Sequence, residues 1–367
     1  MNRTAILYAL ASAALFGLAT PAAKVLLGSI HPAVLAGLFY CGAGIGVAVL
    51  RRLRMAGLAA SGTEEVALTR RDVPWLAGAV VCGGIVGPLL LMIGLTLTTA
   101  ATASLLLTLE AAATALMAWF IFHEHVNVRV ALGMALLVAG ALILAWSETP
   151  TFDGIIGPLA IAGACVAWGL DNNLTRKVSL SDPLQIVEIK GLVAGPVNLA
   201  LAFWAGGALP AALPSLLAMG VGFVGYGLSL VLFVLALRHL GSARTSAYFS
   251  TAPFVGSLAA VVVLAEPMTL GLVAAGCLMG LGMWLHLTER HEHRHVHEPM
   301  AHSHPHTHDE HHRHAHAGGE PPGEPHSHFH RHGRIDHSHP HTPDMHHTHR
   351  HDKAPAQKAA HEASVEP

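Results

Sequence analysis

The sequence predicts an all-α integral membrane protein with ten transmembrane helices, arranged as two inverted repeats of five, and a disordered cytoplasmic tail. Three observations carry this prediction: an apolar composition, an internal repeat and a histidine-rich C-terminus. Of the 367 residues, 52% are hydrophobic and 12% are charged. Soluble domains carry about 25% charged residues, so the chain is predicted to be a membrane protein with a soluble appendage.

Ten segments are long and apolar enough to span a bilayer, which requires about 20 predominantly apolar residues. They lie at residues 5–27, 32–50, 73–94, 99–121, 129–146, 154–174, 183–205, 213–237, 243–263 and 268–287. The first of them also resembles a signal peptide, because Arg3 precedes an apolar stretch and small residues. We expect it to be retained, since Phe16-Gly17-Leu18 matches Trp168-Gly169-Leu170 deep in the chain.

The internal repeat is clearest between residues 101–146 and 243–287, where two long apolar runs flank a short polar break. A shift of 142 residues aligns identical residues of the two copies, namely Ala101 with Ala243, Ser104 with Ser246 and Glu124 with Glu266. Each copy contains five predicted spans, and this odd number requires that the second copy inserts upside down. Inverted repeats are typical of secondary transporters, whose substrate site lies near the midplane between the halves.

The distribution of basic residues predicts the orientation. With the N-terminus in the cytoplasm, eleven basic residues lie on the cytoplasmic side, namely Arg3, Arg51, Arg52, Arg54, Arg70, Arg71, Arg129, Arg176, Lys177, Arg238 and Arg244, and Lys24 lies on the other half. The opposite loops contain no Lys or Arg, as the positive-inside rule requires. We therefore expect a multi-pass protein of the inner (cytoplasmic) membrane with both termini in the cytoplasm.

The repeated pattern also resembles a known family. Each copy has a small-residue helix start, a mid-helix Glu or Pro, a His-Glu or Ala-Glu break and a Gly-rich closing helix. This pattern is similar to the EamA repeat of the drug/metabolite transporter superfamily, in register over residues 5–287. The resemblance implies ten helices, an alternating-access cavity and movement of amino acids, metabolites or drugs. It divides the chain into two EamA repeats, residues 1–147 and 148–287, and a tail, residues 288–367.

Glu110 is the first candidate for a functional residue, because it is the only carboxylate in the fourth predicted span. A carboxylate at bilayer depth costs several kcal/mol unless it is paired or protonated, so such residues are functional by default. Burial favours the protonated form of a carboxyl group, and this property suits Glu110 to proton coupling. The structural alternative is a hydrogen-bonded Glu110 that only ties two helices together.

Polar residues at the end of the sixth span form a second group of candidates for binding the substrate or the coupling ion. Asp171, Asn172 and Asn173 are placed to recognise polar groups of a substrate. The alternative is that Asp171 pairs with Arg176 or Lys177 at the membrane edge.

The seventh span begins with Glu188 and Lys190, which are two residues apart and point to different faces of a helix. One of them is expected to meet Asp171 or the cavity, and Lys190 is expected to extend to the cytoplasmic surface. Lys24 lies near the outer end of the first span, where it would be available to an anionic substrate group. Of the aromatic residues, Trp168 and Tyr248 lie beside these polar positions and are the candidates for the cavity.

The tail is of low complexity, and we predict that it is disordered. Its His-x-His spacing allows neighbouring imidazoles to converge on Ni²⁺, Zn²⁺, Co²⁺ or Cu²⁺. The candidate metal-binding residues are His291, His293, His295, His297, His302, His304, His306, His308, His311, His312, His314 and His316. The alternatives are a response to pH, since imidazoles gain charge near about pH 6.5, or no role.

The motif His123-Glu124-His125 is interpreted as a polar loop and not as a metal site. Histidines at positions i and i+2 do not share a helix face, and the aligned Ala265-Glu266-Pro267 has no histidine.

The sequence therefore predicts an inner-membrane transporter that exports small metabolites or drug-like molecules by alternating access, with proton coupling as one mode. Two alternatives stay open: an exporter of divalent Ni, Co or Zn with the tail as metal collector or sensor, and a membrane-anchored metal buffer without transport. No nucleophile–base pair or HExxH motif stands out, so an enzyme is not expected. The expected partners are the lipid bilayer, a small-molecule substrate and divalent metals at the tail, with no required cofactor and no nucleic acid.

Overall fold

A computed structural model describes residues 3–56, 67–122, 128–148, 152–178, 181–288, 291–297, 300–306, 326–332 and 335–341. Residues 123–125 lie outside this part of the chain, so the interpretation of the His-Glu-His motif stays a prediction. The same holds for five histidines of the predicted metal-binding set, namely His308, His311, His312, His314 and His316.

The described residues up to 288 are all-helical. The helices are α1 (Arg3–Leu27), α2 (Pro32–Met55), α3 (Val73–Ala79), α4 (Gly87–Leu97), α5 (Ala100–Leu106), α6 (Leu109–Phe122), α7 (Val128–Glu148), α8 (Ile156–Arg176), α9 (Pro183–Trp204), α10 (Ala212–Gly222), α11 (Ser229–Phe249), α12 (Ala252–Val263) and α13 (Leu270–Leu287). Two π-helical segments, Val80–Val86 and Phe223–Leu228, join α3 to α4 and α10 to α11. A 3₁₀ turn, Phe152–Ile155, precedes α8.

Seven helical stretches of the described chain are long and apolar enough to cross a membrane, and two shorter apolar helices, Ala252–Val263 and Leu270–Leu285, accompany them. Many of their large apolar side chains are exposed, which suits contact with lipid and not with water. The prediction of an all-helical, multi-pass membrane region is therefore confirmed.

The boundary between the eighth and ninth predicted spans differs from the prediction. The sequence indicated a linker at residues 238–242, but α11 continues to Phe249 and the chain breaks at residues 250–251. Gly241 and Ser242 do not end the helix, whereas Pro253 lies in the first turn of α12. A proline is tolerated at that position because the first turn leaves backbone N–H groups without helical partners.

The fourth predicted span is also broken, into α5 and α6, at Leu107 and Thr108. Glu110 therefore lies in the first turn of α6. A carboxylate is favourable there because the N-terminal end of a helix carries partial positive charge.

Contacts at the α4–α5 turn explain why a glutamate stands in the second polar break. The carboxylate of Glu266 accepts hydrogen bonds from the first two backbone N–H groups of α5, at 2.8 and 2.7 Å. On the other side of the turn, Lys24 Nζ donates to the carbonyls of Leu95 and Thr98, at 2.5 Å each. The negative charge of Glu266 thus binds free N–H groups at the start of α5, and the positive charge of Lys24 binds free carbonyls at the end of α4. Lys24 is thus engaged by backbone carbonyls, and the structure does not support the suggestion that it serves an anionic substrate.

Part of the tail differs from the disorder that the sequence predicts. Strands β1 (His291–His297) and β4 (Ile335–His341) form one antiparallel pair, and β2 (Met300–His306) and β3 (His326–His332) form another. The His-x-His spacing has a period of two residues, which is also the period of a strand. The prediction of disorder missed this match because it considered composition alone. The register aligns histidines across each pair, for example His293 with His339.

Small residues permit the close packing of α2 and α9. A Cβ atom on Gly191 would clash with the backbone of Gly44, and a Cβ atom on Gly44 would clash with the backbone of Gly191 and Leu192. Lipid supplies no hydrophobic drive between helices, so membrane helices associate through such close contacts.

We expect Gly191→Ala to lower the stability of the protein by about 1–3 kcal/mol, because the added methyl group forces the two backbones apart. The matched control is Gly220→Ala in α10, where an added Cβ atom meets nothing within 4 Å. It should be neutral or stabilising by up to about 1 kcal/mol, because alanine favours the helix. Thermal unfolding of the two variants in detergent measures the difference. Equal midpoints would contradict the packing argument.

Candidate functional site

Glu110 is held by one side-chain hydrogen bond from a neighbouring helix. The Nδ2 group of Asn172 on α8 donates to Glu110 Oε1 at 2.7 Å. Both residues are partly exposed, whereas the adjacent Thr108 and Asp171 are buried. The structure thus brings two of the predicted site residues together, at a partly exposed carboxylate in the first turn of α6.

Asp171 forms a buried ion pair with Lys190 on α9. Lys190 Nζ lies 2.7 Å from both carboxylate oxygens of Asp171, and the lysine is only 3% exposed. The hydroxyl of Thr175, one helical turn from Asp171, donates to the same carboxylate at 2.8 Å. The expectation that Lys190 extends to the cytoplasmic surface is therefore wrong. A lysine whose carboxylate partner lies within reach is neutralised where it stands, and Asp171 supplies that partner.

Glu188 belongs to a different group of charges. Arg51 at the end of α2 donates to Glu188 at 3.0 Å and to Asp182 at 3.3 Å. Asp182 also caps α9 by accepting from the backbone N–H of Leu184 at 3.0 Å. Because residues 188 and 190 face different sides of α9, only Lys190 reaches Asp171. Glu188 therefore joins α9 to α2 at one end of the helices and does not contact Glu110 or Asp171.

Asn173 is engaged within its own helix. Its Nδ2 group donates to the carbonyl of Gly169 at 2.8 Å, and the residue is buried. Of the three consecutive polar residues of α8, Asn172 thus reaches Glu110, Asp171 reaches Lys190, and Asn173 satisfies the backbone.

The carbonyl of Gly83 joins two aromatic residues to this site. Trp168 Nε1 donates to it at 3.0 Å, and the hydroxyl of Tyr40 donates to it at 2.5 Å. Gly83 lies in the first π-helical segment, and such segments disturb the regular backbone pairing of a helix, often at functional sites. The residue must be small, because a Cβ atom there would clash with the carboxylate of Asp171.

An aromatic cluster lies beside the polar residues and contains four rings that the sequence analysis did not select. Phe16 contacts Trp168, Tyr226 and Phe249, with ring centroids 6.0, 5.6 and 5.4 Å apart. Tyr40 contacts Tyr226 at 5.6 Å. The alignment of Phe16 with Trp168 in the repeat was the sequence feature that could have selected Phe16 as a candidate. Of the two predicted aromatic candidates, Trp168 belongs to this cluster.

Tyr248 lies next to Phe249 at the end of α11 and is partly exposed. Its carbonyl accepts a hydrogen bond from the hydroxyl of Thr251 at 2.7 Å, which helps to close the turn before α12. Its ring takes no part in the aromatic cluster among the described contacts.

Asn198 is a further polar residue that the sequence analysis missed. Its Nδ2 group donates to the carbonyl of Gly84 at 2.8 Å. Its Oδ1 atom is buried and has no hydrogen-bond partner among the described residues. Together with Gly83, this contact shows that α2, α8 and α9 all bind carbonyls of the same π-helical segment.

Within the described ranges, no group of three or more His, Cys, Asp or Glu side chains could hold a metal ion. The site around Glu110 can bind protons and polar groups through the carboxylate and the amide of Asn172. It can bind apolar groups through the rings beside them.

Comparisons with known proteins agree with this architecture. The sequence profile of the EamA-like transporter family matches residues 3–146 and 155–288. A protein of Methanothermobacter thermautotrophicus, named an uncharacterized transporter, is 29% identical over 283 residues, which are 74% of this chain and 82% of that protein. A crystal structure superposes with a TM-score of 0.57 at 16% identity, over 78% of this chain and 96% of the other. At this identity the likeness shows the fold alone.

We expect Asp171→Asn to destabilise the protein by about 3–5 kcal/mol, because it leaves the charge of Lys190 buried without a partner. The double variant Asp171→Asn, Lys190→Met should recover most of this loss, because it removes both charges. Thermal or denaturant unfolding in detergent, applied to wild type, Asp171→Asn, Lys190→Met and the double variant, completes the double-mutant cycle.

Glu188→Gln is the matched control, because its partner Arg51 has a side chain that is 26% exposed. Its effect should stay below about 1 kcal/mol, as for partly exposed ion pairs. A double variant that is no more stable than Asp171→Asn would show that the charge of Lys190 is not what destabilises the single variant.

Proposed function

Because the chain belongs to the EamA-like transporter family, whose profile covers most of residues 3–288, we propose that it exports small metabolites or drug-like molecules through the inner membrane by proton-coupled alternating access. The family membership confirms the resemblance and supports a membrane transporter. The observation that carries the finer proposal is Glu110, a partly exposed carboxylate within a helical span, bound by Asn172 beside an aromatic cluster.

The proposed architecture is ten spans in two inverted repeats of five. Supporting it, the aligned residues Phe16 and Trp168 contact each other, as residues near a two-fold axis do. A shift of 142 residues also carries the first π-helical segment onto residues 222–228, which contain the second one.

Helix contacts repeat in the same way. Gly17 of α1 lies against Ala252 of α12, and the aligned Gly169 of α8 lies against Ala113 and Thr114 of α6. Ala252 aligns with Glu110, so the contact of α1 with α12 in one half corresponds to the contact of α8 with α6 in the other. Both helix pairs border the site. A site between the halves is where inverted-repeat transporters bind their substrates.

Alternating access requires contacts that can open at each end of the spans. On the proposed outer side, Lys24 and Glu266 bind the α4–α5 turn. On the proposed cytoplasmic side, Arg51 joins α2 to Asp182 and Glu188 of α9. Opening on either side would exchange these contacts for water, and charged groups at helix ends are readily solvated.

In the proposed cycle, Glu110 accepts a proton from the outer side and releases it on the cytoplasmic side. The carboxylate cannot hold a proton and a substrate group at the same time, so each displaces the other. The buried Asp171–Lys190 pair keeps its own charges balanced throughout, because Lys190 contacts both oxygens of Asp171.

The tail is proposed to bind Ni²⁺, Co²⁺, Zn²⁺ or Cu²⁺ in a role separate from transport. The described strands align histidines across each pair, as at His304 and His328, and directly opposed positions in a sheet lie close together. Since the described helical region holds no metal-ligand group, the metal-exporter alternative depends on the tail alone.

We expect Glu110→Gln to abolish proton-coupled export, because the amide cannot take up or release the proton. A strain that lacks the protein is tested for tolerance to toxic amino-acid analogues and drugs, and wild type and variants are compared for rescue. In everted vesicles, the wild-type activity should disappear when nigericin collapses the pH gradient.

Asp72→Asn is the control for this variant, because it makes the same carboxylate-to-amide change at the start of α3, where Asp72 binds Thr69 and takes no part in the proposed cycle. It should retain rescue. If Glu110→Gln transported as well as wild type, with the same dependence on pH, Glu110 would not be the coupling residue.

We expect a chain truncated after residue 288 to keep its export activity, because the site lies wholly within the helical region. The full and truncated chains are compared for rescue of tolerance to drugs and to nickel, cobalt and zinc. Loss of metal tolerance on deletion of the gene, restored only by the full chain, would favour the metal exporter instead. Metal tolerance rescued by a full-length, transport-dead Glu110→Gln chain would favour a metal buffer.

A further inference from the structure

We propose that the substrate of the Glu110 site is a monovalent organic cation with an apolar body, which exchanges with a proton on Glu110. This inference rests on the transport function proposed above and names the chemical class of the substrate. Four features of the site carry it: its charge, its rings, the groups around Glu110 and its accessibility.

The first feature is the charge of Glu110, which the ion pair between Asp171 and Lys190 does not balance. Lys190 is the one buried lysine or arginine among the described side chains. Both oxygens of Asp171 contact its ammonium group at 2.7 Å, so this pair contributes no net charge. Among the described side chains, Glu110 has the neutral amide of Asn172 as its hydrogen-bond partner. The deprotonated site therefore has a net negative charge, which either a proton or a substrate cation can balance.

The second feature is the position of the aromatic cluster. Trp168 and Asn172 are four residues apart on α8 and share a helix face, so the rings begin one turn from the group that binds Glu110. Phe16, Tyr226 and Phe249 continue the cluster from other helices, with centroids 5.4–6.0 Å from their neighbours. The face of an aromatic ring attracts cations, and most strongly where water is excluded.

The third feature is the absence of a described basic group that faces Glu110. The ionisable groups that interact electrostatically with it are Asp171 and Cys165 of α8, Tyr40 of α2 and Tyr226. The other helices packed on α5 and α6 are α1, α4, α7, α12 and α13. Helices α4 and α12 have no ionisable residue, and the rest carry theirs mainly towards their ends, namely Arg3, Tyr8, Lys24, Arg129, Glu148, Cys277 and His286. An anionic substrate would meet a second negative charge, and the one buried cation among the described side chains, Lys190, is already paired with Asp171.

The fourth feature is access. Glu110, Asn172, Phe16 and Phe249 are each partly exposed, although they lie within helical spans. A polar amide, a carboxylate and two apolar rings of this region thus each keep part of their surface exposed. This combination fits a molecule with one positive charge and an apolar body.

The exchange balances in charge. When the cation binds, the proton leaves the carboxyl group of Glu110 for water, and the carboxylate pairs with the cation. When the cation leaves, a proton from water restores the carboxyl group. Cation binding should therefore strengthen as the pH rises, because the competing proton becomes scarcer.

The test uses the full-length protein in detergent and tetraphenylphosphonium as the probe. Titration calorimetry measures binding, and a pH indicator in weakly buffered solution measures proton release. We expect roughly one proton to be released per bound cation, because a single carboxylate exchanges its proton for the cation. Glu110→Gln should release no proton and bind at least about 30-fold more weakly, as for the loss of one partner of a buried charge pair. Glu110→Asp keeps the charge and should keep the proton release.

Phe16→Leu removes a ring but keeps apolar volume, and it should weaken binding by about 3- to 10-fold. Trp204→Leu is the control, because Trp204 is 89% exposed at the end of α9 and lies outside the cluster. It should leave binding unchanged. Equal losses in the two variants would overturn the assignment of the cluster to the cation.

Other outcomes separate the substrate class from transport itself. Binding that is equal in Glu110→Gln and wild type, or equally strong for the anion tetraphenylborate, would overturn the cation proposal. Transport of an amino acid or an anionic metabolite in vesicles, dependent on Glu110 and insensitive to tetraphenylphosphonium, would overturn it while export stands. Tetraphenylphosphonium binding with proton release, but without pH-driven movement of the probe in vesicles, would overturn the transport function and leave the cation site in place.

Discussion

The ion pair between Asp171 and Lys190 is the interaction on which the rest of the site depends. A buried lysine is costly in a membrane unless its charge is balanced, and Lys190 contacts both oxygens of Asp171. The carboxylate lies against Gly83, where no larger residue fits. The carbonyl of Gly83 in turn binds Tyr40 and Trp168. One charge pair thereby holds α8, α9 and the first π-helical segment at the distance that places the rings.

Glu110 does not share in that pair, and its described side-chain partner is the neutral amide of Asn172. Its neighbour on α8 is Asn172, the residue that follows Asp171, so the positions of the two carboxylates are coupled through a single helix turn. Asp171 has a strong and permanent partner, whereas Glu110 has a neutral one. This difference is the reason that the proposed function assigns the structural role to Asp171 and the exchange of protons and ligands to Glu110.

Much of the fold was predictable because the bilayer restricts what a chain can do. Backbone groups in lipid must bond internally, so long apolar segments become helices, and this prediction was confirmed for the described region. The break after Phe249 was missed because the linker was placed at Gly241 and Ser242. These residues only weakly disfavour a helix, and in the structure α11 continues through them. The paired strands of the tail were missed because low complexity was interpreted as disorder, although alternating histidines also fit a strand.

The sequence by itself determined the membrane class and the family, and it singled out the repeat and position 110 as candidates, because hydropathy and rare charges depend only on residue type and order. It also selected Asp171, Asn172 and Trp168, but not their partners. Only the tertiary structure decided that Lys190 is buried with Asp171 and that Glu188 belongs to Arg51. The same holds for Phe16, Tyr40 and Tyr226. The reason is physical: an apolar or charged residue acquires a role from the helix that packs against it, and helix pairs such as α2 with α9 join residues more than a hundred positions apart.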